Sequence, residues 1–233
     1  MNIIFTLGLP NSSTGYYNNL LPDLFFNTLK NEDQHHMIGL YKSDMKNTIT
    51  IWINDEKKIP IGHSKGSIYH DLILSFEDKL INLPYEIKNT CWFKTTYYIS
   101  CVYFKSFIET NNIDINDVIH NSGLFIQNEF RNQRLAKKLI KKRMDYFINK
   151  VMLCFTINSY AHRVFQSCNW INMAYVDYNI ILNHFNIKNE KLKNDRINLW
   201  VYIGSNLKDK YNITNLTYEI HDLSSNIINY NLI

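Results

Sequence analysis

Apolar and polar positions change period several times along this chain of 233 residues. Thr48 to Asn54 alternates and is β-branched, a polar segment follows from Asn54 to Lys58, and Ile59 to Tyr69 returns as a second strand. Two such runs around a polar turn predict a β-hairpin. Asn2 to Leu7 reads as an opening strand, and about Leu24 to Asn31 as a helix after a Pro/Ser/Thr/Gly loop. His70 to Asn82 is helical or irregular. Thr95 to Phe104, rich in β-branched and aromatic residues, fits strand and helix equally well. Asp114 to Ile119 leads into a short buried strand at Ser122, and a second apolar run spans Val151 to Ile157. Between those runs Ala136, Leu139, Ile140, Met144, Phe147 and Ile148 recur at helical spacing, with Lys137, Lys138, Lys141, Lys142 and Asp145 on the opposite side. That is an amphipathic helix with one face for a sheet. Asn172 to Leu182 and Leu199 to Gly204 read as final strands, and the tail from Tyr211 to His221 as one more. No internal repeat is visible.

With 45% hydrophobic and 20% charged residues, the chain can bury one substantial core. A single domain is expected over 1–233. No apolar run is long enough to span a bilayer, and no targeting segment precedes Pro10. The cysteines at 91, 101, 154 and 168 form no Cys-x-x-Cys pair, so reduced thiols, no membrane contact and an intracellular, cytoplasmic setting are expected. For a parasite or virus that setting becomes the host cytoplasm or the virion. Asn is strongly over-represented, as in an AT-rich genome, so sequons such as Asn11-Ser12-Ser13 carry no weight. His35-His36 and His63 with His70 lack a partnering constellation, and no metal site is expected.

The strand at Ser122, a turn, and the helix after it make an anion site. The first turn of a helix leaves backbone N–H groups without intrahelical partners, and their dipoles favour negative charge. Here the turn is wrapped in cations: Arg131, Arg134, Lys137, Lys138, Lys141, Lys142 and Arg143 put seven positive residues and no negative one into thirteen positions, against a whole-chain net charge of +4. Such focusing suits a multiply phosphorylated ligand. A solvated lysine face is the plainer alternative.

Arg131-Asn132-Gln133-Arg134-Leu135-Ala136 resembles motif A of the GNAT superfamily of N-acyltransferases, Arg/Gln-x-x-Gly-x-Gly/Ala, with Arg134 where relatives carry Gly. Downstream, Asn158 to Trp170 is similar to motif B of the same superfamily, Asn-x-x-Ala-x-x-Leu-Tyr-x-x-x-Gly-Phe. Asn158, Ala161 and Val164 fit directly, while Phe165, Asn169 and Trp170 stand for Tyr, Gly and Phe. Order and spacing agree over about fifty residues.

The resemblance implies an α/β (α+β) fold with a mixed, mostly antiparallel central sheet flanked by helices. It divides the chain into a variable, acceptor-side half at 1–110, an acyl-CoA-binding half at 118–205 and an extension at 206–233. It implies acetyl-CoA as cosubstrate and transfer of the acetyl group to an amine by direct attack in a ternary complex. Leu124, Phe125 and Ile126 would present backbone groups to the pantetheine arm, splayed from the strand at Val151 to Thr156. The amides of Asn132, Gln133, Arg134, Leu135, Ala136 and Lys137, with Arg131, would hold the diphosphate, and Asn158 and Phe165 would line the arm. The Ile126 N–H is the natural donor to the oxyanion. His120 stands eleven residues before Arg131, where histone-type relatives place a glutamate base, and imidazole suits that task. An idle loop histidine is the alternative. Phe165 replaces the tyrosine that protonates the departing thiolate, leaving Tyr160 or water to do so. Cys154 and Cys168 read as core residues before nucleophiles. The acceptor, a small amine, an amino sugar or a protein amine, is open, as is the oligomeric state. Two other readings compete: a catalytically impaired acyl-CoA-binding protein, and a nucleic-acid-binding module using the basic helix. The second is disfavoured because no aromatic residues interleave the basic run.

Overall fold

A computed structural model of the chain describes residues 4–8, 48–57, 60–82, 90–157, 159–187, 196–211 and 220–232. The helix expected near Leu24 to Asn31 and most of the tail strand lie outside the described residues. The elements begin with β1 (Ile4–Gly8), β2 (Thr48–Asn54), β3 (Pro60–Ile68) and α1 (Tyr69–Asn82). A helical run follows, made of α2 (Cys91–Tyr97), a π-helical segment (Tyr98–Tyr103) and α3 (Phe104–Thr110). Next come β4 (Val118–Ile126), α4 (Leu135–Tyr146), β5 (Val151–Thr156), α5 (Ser159–Ser167), β6 (Ile171–Asp177) and α6 (Tyr178–His184). The last elements are β7 (Arg196–Ile203), β8 (His221–Asp222) and α7 (Ser224–Asn229). The described strand pairs are antiparallel apart from β6 with β8, giving mixed, mostly antiparallel pairing.

The chain divides into two compact units, each built from two stretches: Met1–Ile68 with Asn121–Tyr146, and Tyr69–His120 with Phe147–Ile233. In the first, strands run in the order β1-β2-β3-β4. The expected hairpin is present, with Trp52 opposite His63 and Ile51 opposite Ser64. β3 approaches β4 closely enough that a Cβ at Gly62 would fall 2.6 Å from the Phe125 carbonyl oxygen. Only glycine allows that approach. Ile51, Ile53, Ile61 and Ile126 form a core with Leu135 and Leu139 of α4. Burying each such side chain contributes about 1.5–3 kcal/mol.

One residue on this face contradicts the charge reading of α4. Arg143 is fully buried, donating from Nη1 to the Ser64 carbonyl (2.8 Å) and hydroxyl (3.2 Å) and from Nη2 to the Ile49 carbonyl (3.2 Å). Its place, three and four residues after Ile140 and Leu139, is the buried stripe. The guanidinium is solvated there by backbone oxygens in place of water, so it belongs to the packing of α4 and not to a solvent-facing cation cluster. Ile148, assigned to the apolar face, lies beyond the helix and is 40% exposed.

In the second unit strands run β5-β7-β6-β8, and β5 buries Val151 and Leu153 in a large core shared with α1, α3 and α6. The ambiguous stretch Thr95 to Phe104 is helical. Its π-helical segment widens the turn and breaks the 3.6-residue repeat on which a sequence reading depends. Asn172 to Leu182 is a strand only as far as Asp177. The Asp177 carboxylate accepts from the Asn179 N–H (3.1 Å) and caps α6, so the second half of that segment turns helical.

Candidate functional site

The first unit carries the strand–turn–helix. The Gln127 N–H donates to the Ile61 carbonyl of β3 (2.9 Å). Because successive peptide groups of a strand face opposite sides, the N–H and C=O of Ile126 point away from β3. After a 3₁₀ turn at Asn128–Phe130 the chain passes through two left-handed residues, Asn132 (φ 64°) and Arg134 (φ 60°), and enters α4. Arg131 reaches back across this turn, its Nε donating to the Ile126 carbonyl (3.0 Å). The first intrahelical bond is Lys138 N–H to Arg134 C=O (3.1 Å). Among the described residues, no acceptor meets the N–H groups of Leu135, Ala136 and Lys137. Three donors and the positive end of α4 are therefore open to an anion.

The side chains around these donors divide the labour. Leu135 is buried in the core and anchors the helix start, Ala136 and Lys137 are half-buried, and Arg131, Asn132, Gln133 and Arg134 are exposed. Lys138, Lys141 and Lys142 are exposed further along α4. Leu124 is half-buried, while Phe125 and Ile126 are buried and offer only backbone to a ligand. Arg134, at the Gly position of the resembled motif, has a left-handed backbone, a conformation that glycine adopts without steric cost and that this chain holds with a Cβ in place.

On β3 lies His63, weighed from the sequence only beside His70 as a metal ligand. His63 is buried with its imidazole pushed down to about 3 by burial and then by the Lys65 and Arg143 charges, so it is neutral at pH 7. Among the described residues no group of three or more His, Cys, Asp or Glu side chains is placed to hold a metal ion.

The second unit holds the remaining candidates. His120 is not a loop residue: it sits inside β4, 4% exposed, with its ring 6.0 Å from Phe104 and 5.8 Å from Phe155. Phe165 is also buried, with its ring edge-on to Trp170 (4.6 Å) and stacked against Trp200 (6.1 Å). Asn158 lies outside the described residues. Cys154 and Cys168 are buried, and burial with the nearby Glu77 pushes the Cys101 thiol up to about 12, far from a thiolate nucleophile.

The end of α5 explains the other glycine departure. Trp170 N–H donates to the Phe165 carbonyl (3.2 Å) and Asn169 N–H to the Gln166 carbonyl (3.1 Å), with Asn169 left-handed at φ 61°. This is a Schellman turn, and the Phe165–Trp170 ring contact is its accompanying apolar clasp. In this chain the aromatic–x–x–x–Gly–aromatic half of the motif is thus a helix stop, with Asn in the role of Gly.

No family model matches the sequence, and no curated protein sequence matches it. Solved structures do match. Arylalkylamine N-acetyltransferase 2 from Aedes aegypti superposes with a TM-score of 0.60 at 17% identity, over 87% of this chain and 99% of that one. A mosquito arylalkylamine N-acetyltransferase-like protein, 5b, gives 0.54 at 10% identity over 86% and 99%. A mutant of agmatine N-acetyltransferase in its apo form gives the same four values. At these identities the likeness shows the fold: this is the GNAT fold that the two motifs implied.

Proposed function

We propose, with the GNAT fold as premise, that this chain is an acetyl-CoA-dependent N-acetyltransferase that moves an acetyl group to a primary amine by direct attack. The observation that carries the proposal is the α4 N-terminus, where three N–H groups have no acceptor among the described residues and the turn that carries Arg131 and Arg134 leads in from β4. A diphosphate seated there replaces water on donors already aligned and unable to pair within the helix. On this reading the Ile126 N–H, which points away from β3, is the donor to the oxyanion that forms at the thioester carbonyl, while Arg131 Nε donates to the carbonyl of the same residue.

Attack requires a neutral amine. We assign the base to His120, an imidazole buried in β4 against Phe104 and Phe155, because a neutral imidazole suits removal of a proton from an amine. Thiolate departure is left to solvent or Tyr160, which is 75% exposed on α5. The names of the matched structures, an arylalkylamine and an agmatine acetyltransferase, support an amine acceptor without choosing among small amines, amino sugars and protein amines.

The test is thermal unfolding with coenzyme A and acetyl-CoA, followed by an amine screen monitored by thiol release. At a hundred times its Kd a ligand stabilises the native state by about 2.7 kcal/mol. No shift at millimolar acetyl-CoA would defeat the proposal. Ala136→Asp should remove the shift without weakening the fold, because a carboxylate in the first turn favours the helix while repelling a diphosphate. A second reading, a binding protein without turnover, is favoured by one observation: Phe165 has no hydroxyl and is closed into the Trp170–Trp200 cluster. Tight coenzyme A binding with no thiol release from any amine, in the wild type and in Phe165→Tyr alike, would select it.

A further inference from the structure

In the helical run of the second unit, two departures from the ordinary pattern explain each other. Where the π-helical segment ends, the Phe104 N–H donates to the Ile99 carbonyl, five residues back, in place of the Ser100 carbonyl that an α-helix would use. A return to four-residue bonds in α3 then takes Lys105 to Cys101, and the Ser100 carbonyl is passed over. Ser100 is 1% exposed, and an acceptor left unmet there is costly. Tyr69, the first residue of α1 and itself fully buried, meets it: the phenol hydroxyl donates to the Ser100 carbonyl. Burial, with the nearby Cys101 and Glu109, pushes that phenol far up, so it stays a donor at neutral pH. A π turn is one residue inserted into an α-helix, so in an unbroken α-helix every later residue moves back by one place. Tyr103 would take the place of Phe104, and Phe107 that of Ile108. Phe104 and Ile108 are buried, and Tyr103 and Phe107 pack half-buried against the same core, so the apolar pattern serves both registers. What separates them is the Ser100 carbonyl: it takes the Tyr69 hydroxyl in one register and the Phe104 N–H in the other.

We propose that Tyr69 is a positioning residue for the base on β4: its hydroxyl holds the helical run in the π register and so decides that Phe104, and not Tyr103, packs against His120. The role rests on the reading of His120 as the base of an acetyl transfer. The Phe104 ring lies 6.0 Å from the His120 ring, tilted by 56°. A one-residue slip exchanges that phenyl ring for a phenol. A phenol hydroxyl donates to an imidazole lone pair, the same lone pair that must take the amine proton, whereas a phenyl ring leaves it available. Packing alone does not call for tyrosine at position 69, since phenylalanine would fill the same space in the core. What phenylalanine lacks is the donor that satisfies the passed-over carbonyl, and without it the α register becomes the one in which that carbonyl is bonded.

The experiment uses the full chain and reads the register first. NMR couplings across hydrogen bonds, measured on isotope-labelled protein, should link the Phe104 amide to the Ile99 carbonyl in the wild type and to the Ser100 carbonyl in Tyr69→Phe. Deleting Cys101 from the Tyr69→Phe chain is the counter-test. Phe104 then stands four residues after Ile99 and Lys105 four after Ser100, so an ordinary α-helix satisfies both carbonyls and returns Phe104 to its place. In thiol release with a responsive amine, Tyr69→Phe should lower kcat about 10²-fold, as misplacement near a reacting group does, with coenzyme A affinity within about 3-fold of wild type, and the deletion should restore the rate. The deletion alone, with Tyr69 kept, should be active, which keeps the proposal open to refutation even where Tyr69→Phe fails to fold. A Phe104–Ile99 coupling that persists in Tyr69→Phe would overturn it, leaving the hydroxyl as the partner of one carbonyl and no more. So would a slow Tyr69→Phe enzyme that the deletion leaves slow, a coenzyme A affinity that falls in step with the rate, or an inactive deletion variant. A wild type that releases no thiol with any amine would remove His120 as base and this positioning role together, while the couplings would still decide whether Tyr69 sets the register.

Discussion

Replacing Arg134 by glycine and, separately, by alanine isolates the backbone of the turn from its charge. Both substitutions remove the guanidinium, so both should weaken coenzyme A binding to a similar degree. They differ in one respect: at φ 60° alanine keeps a Cβ in the left-handed region and glycine does not. A left-handed L-residue costs roughly 1–2 kcal/mol, against which glycine's extra freedom in the unfolded chain returns about 0.4–1 kcal/mol. The glycine variant should therefore be the more stable of the two by about 1 kcal/mol. For a protein of this length that is roughly 2–4 °C in melting temperature, or a resolvable shift in urea midpoint at constant slope. Wild-type Arg134 should sit near alanine, since an exposed arginine adds little to stability by itself. An alanine variant at least as stable as the glycine variant would refute the left-handed turn.

Three other outcomes are expected. Asn169→Ala should cost about 1 kcal/mol while Asn169→Gly is neutral or stabilising, because the position is the left-handed residue of a Schellman turn; urea unfolding of the pair decides it. Arg143→Met should destabilise by about 2–4 kcal/mol, since it strands the Ser64 and Ile49 oxygens in the interior, and an unchanged urea midpoint would show that they are solvated some other way. Burial raises the Asp117 carboxyl, but hydrogen bonds from Lys210 (2.7 Å) and Tyr211 (2.6 Å), with the Lys210 and Lys150 charges, outweigh it and hold the group below its usual range. A depressed carboxylate contributes stability that is present above its unfolded value and lost as pH falls through the folded one. The melting-temperature penalty of Asp117→Asn should accordingly be full at neutral pH and shrink under acid, below the ordinary carboxylate range.

What the sequence showed and what it hid follow from the same physics. The α4 helix was legible because one face is buried at helical period, and the β2–β3 hairpin and β5 because runs of apolar and β-branched residues bounded by polar turns read as strands. The helical run at Thr95 to Phe104 was not, because its π-helical segment shifts the buried face partway along while its composition favours a strand. Arg143 was misplaced by residue type: spacing put it on the buried stripe, and only the carbonyls of β2 and β3, distant in sequence, make a cation tolerable there. His120 was singled out by its offset from the motif, but a loop and a strand interior look alike at one position. The contacts of His162 with the Thr156 carbonyl and with Asn198 join α5, β5 and β7, so no local pattern could announce them.

Five non-glycine residues among those described have left-handed backbones, and four of them are asparagines. Asn112, Asn169 and Asn186 close α3, α5 and α6 in the same way, each followed by a residue whose N–H returns to the carbonyl five positions back: Ile113 to Ile108, Trp170 to Phe165 and Ile187 to Leu182. Asparagine is the non-glycine side chain most at ease in the left-handed region, so a chain this rich in asparagine can stop helices without glycine. Any sequence pattern written with glycine at helix stops will score this chain as a mismatch at points where its backbone follows the pattern faithfully, so its kinship is better sought by the order of turns and handedness than by the residues that usually spell them.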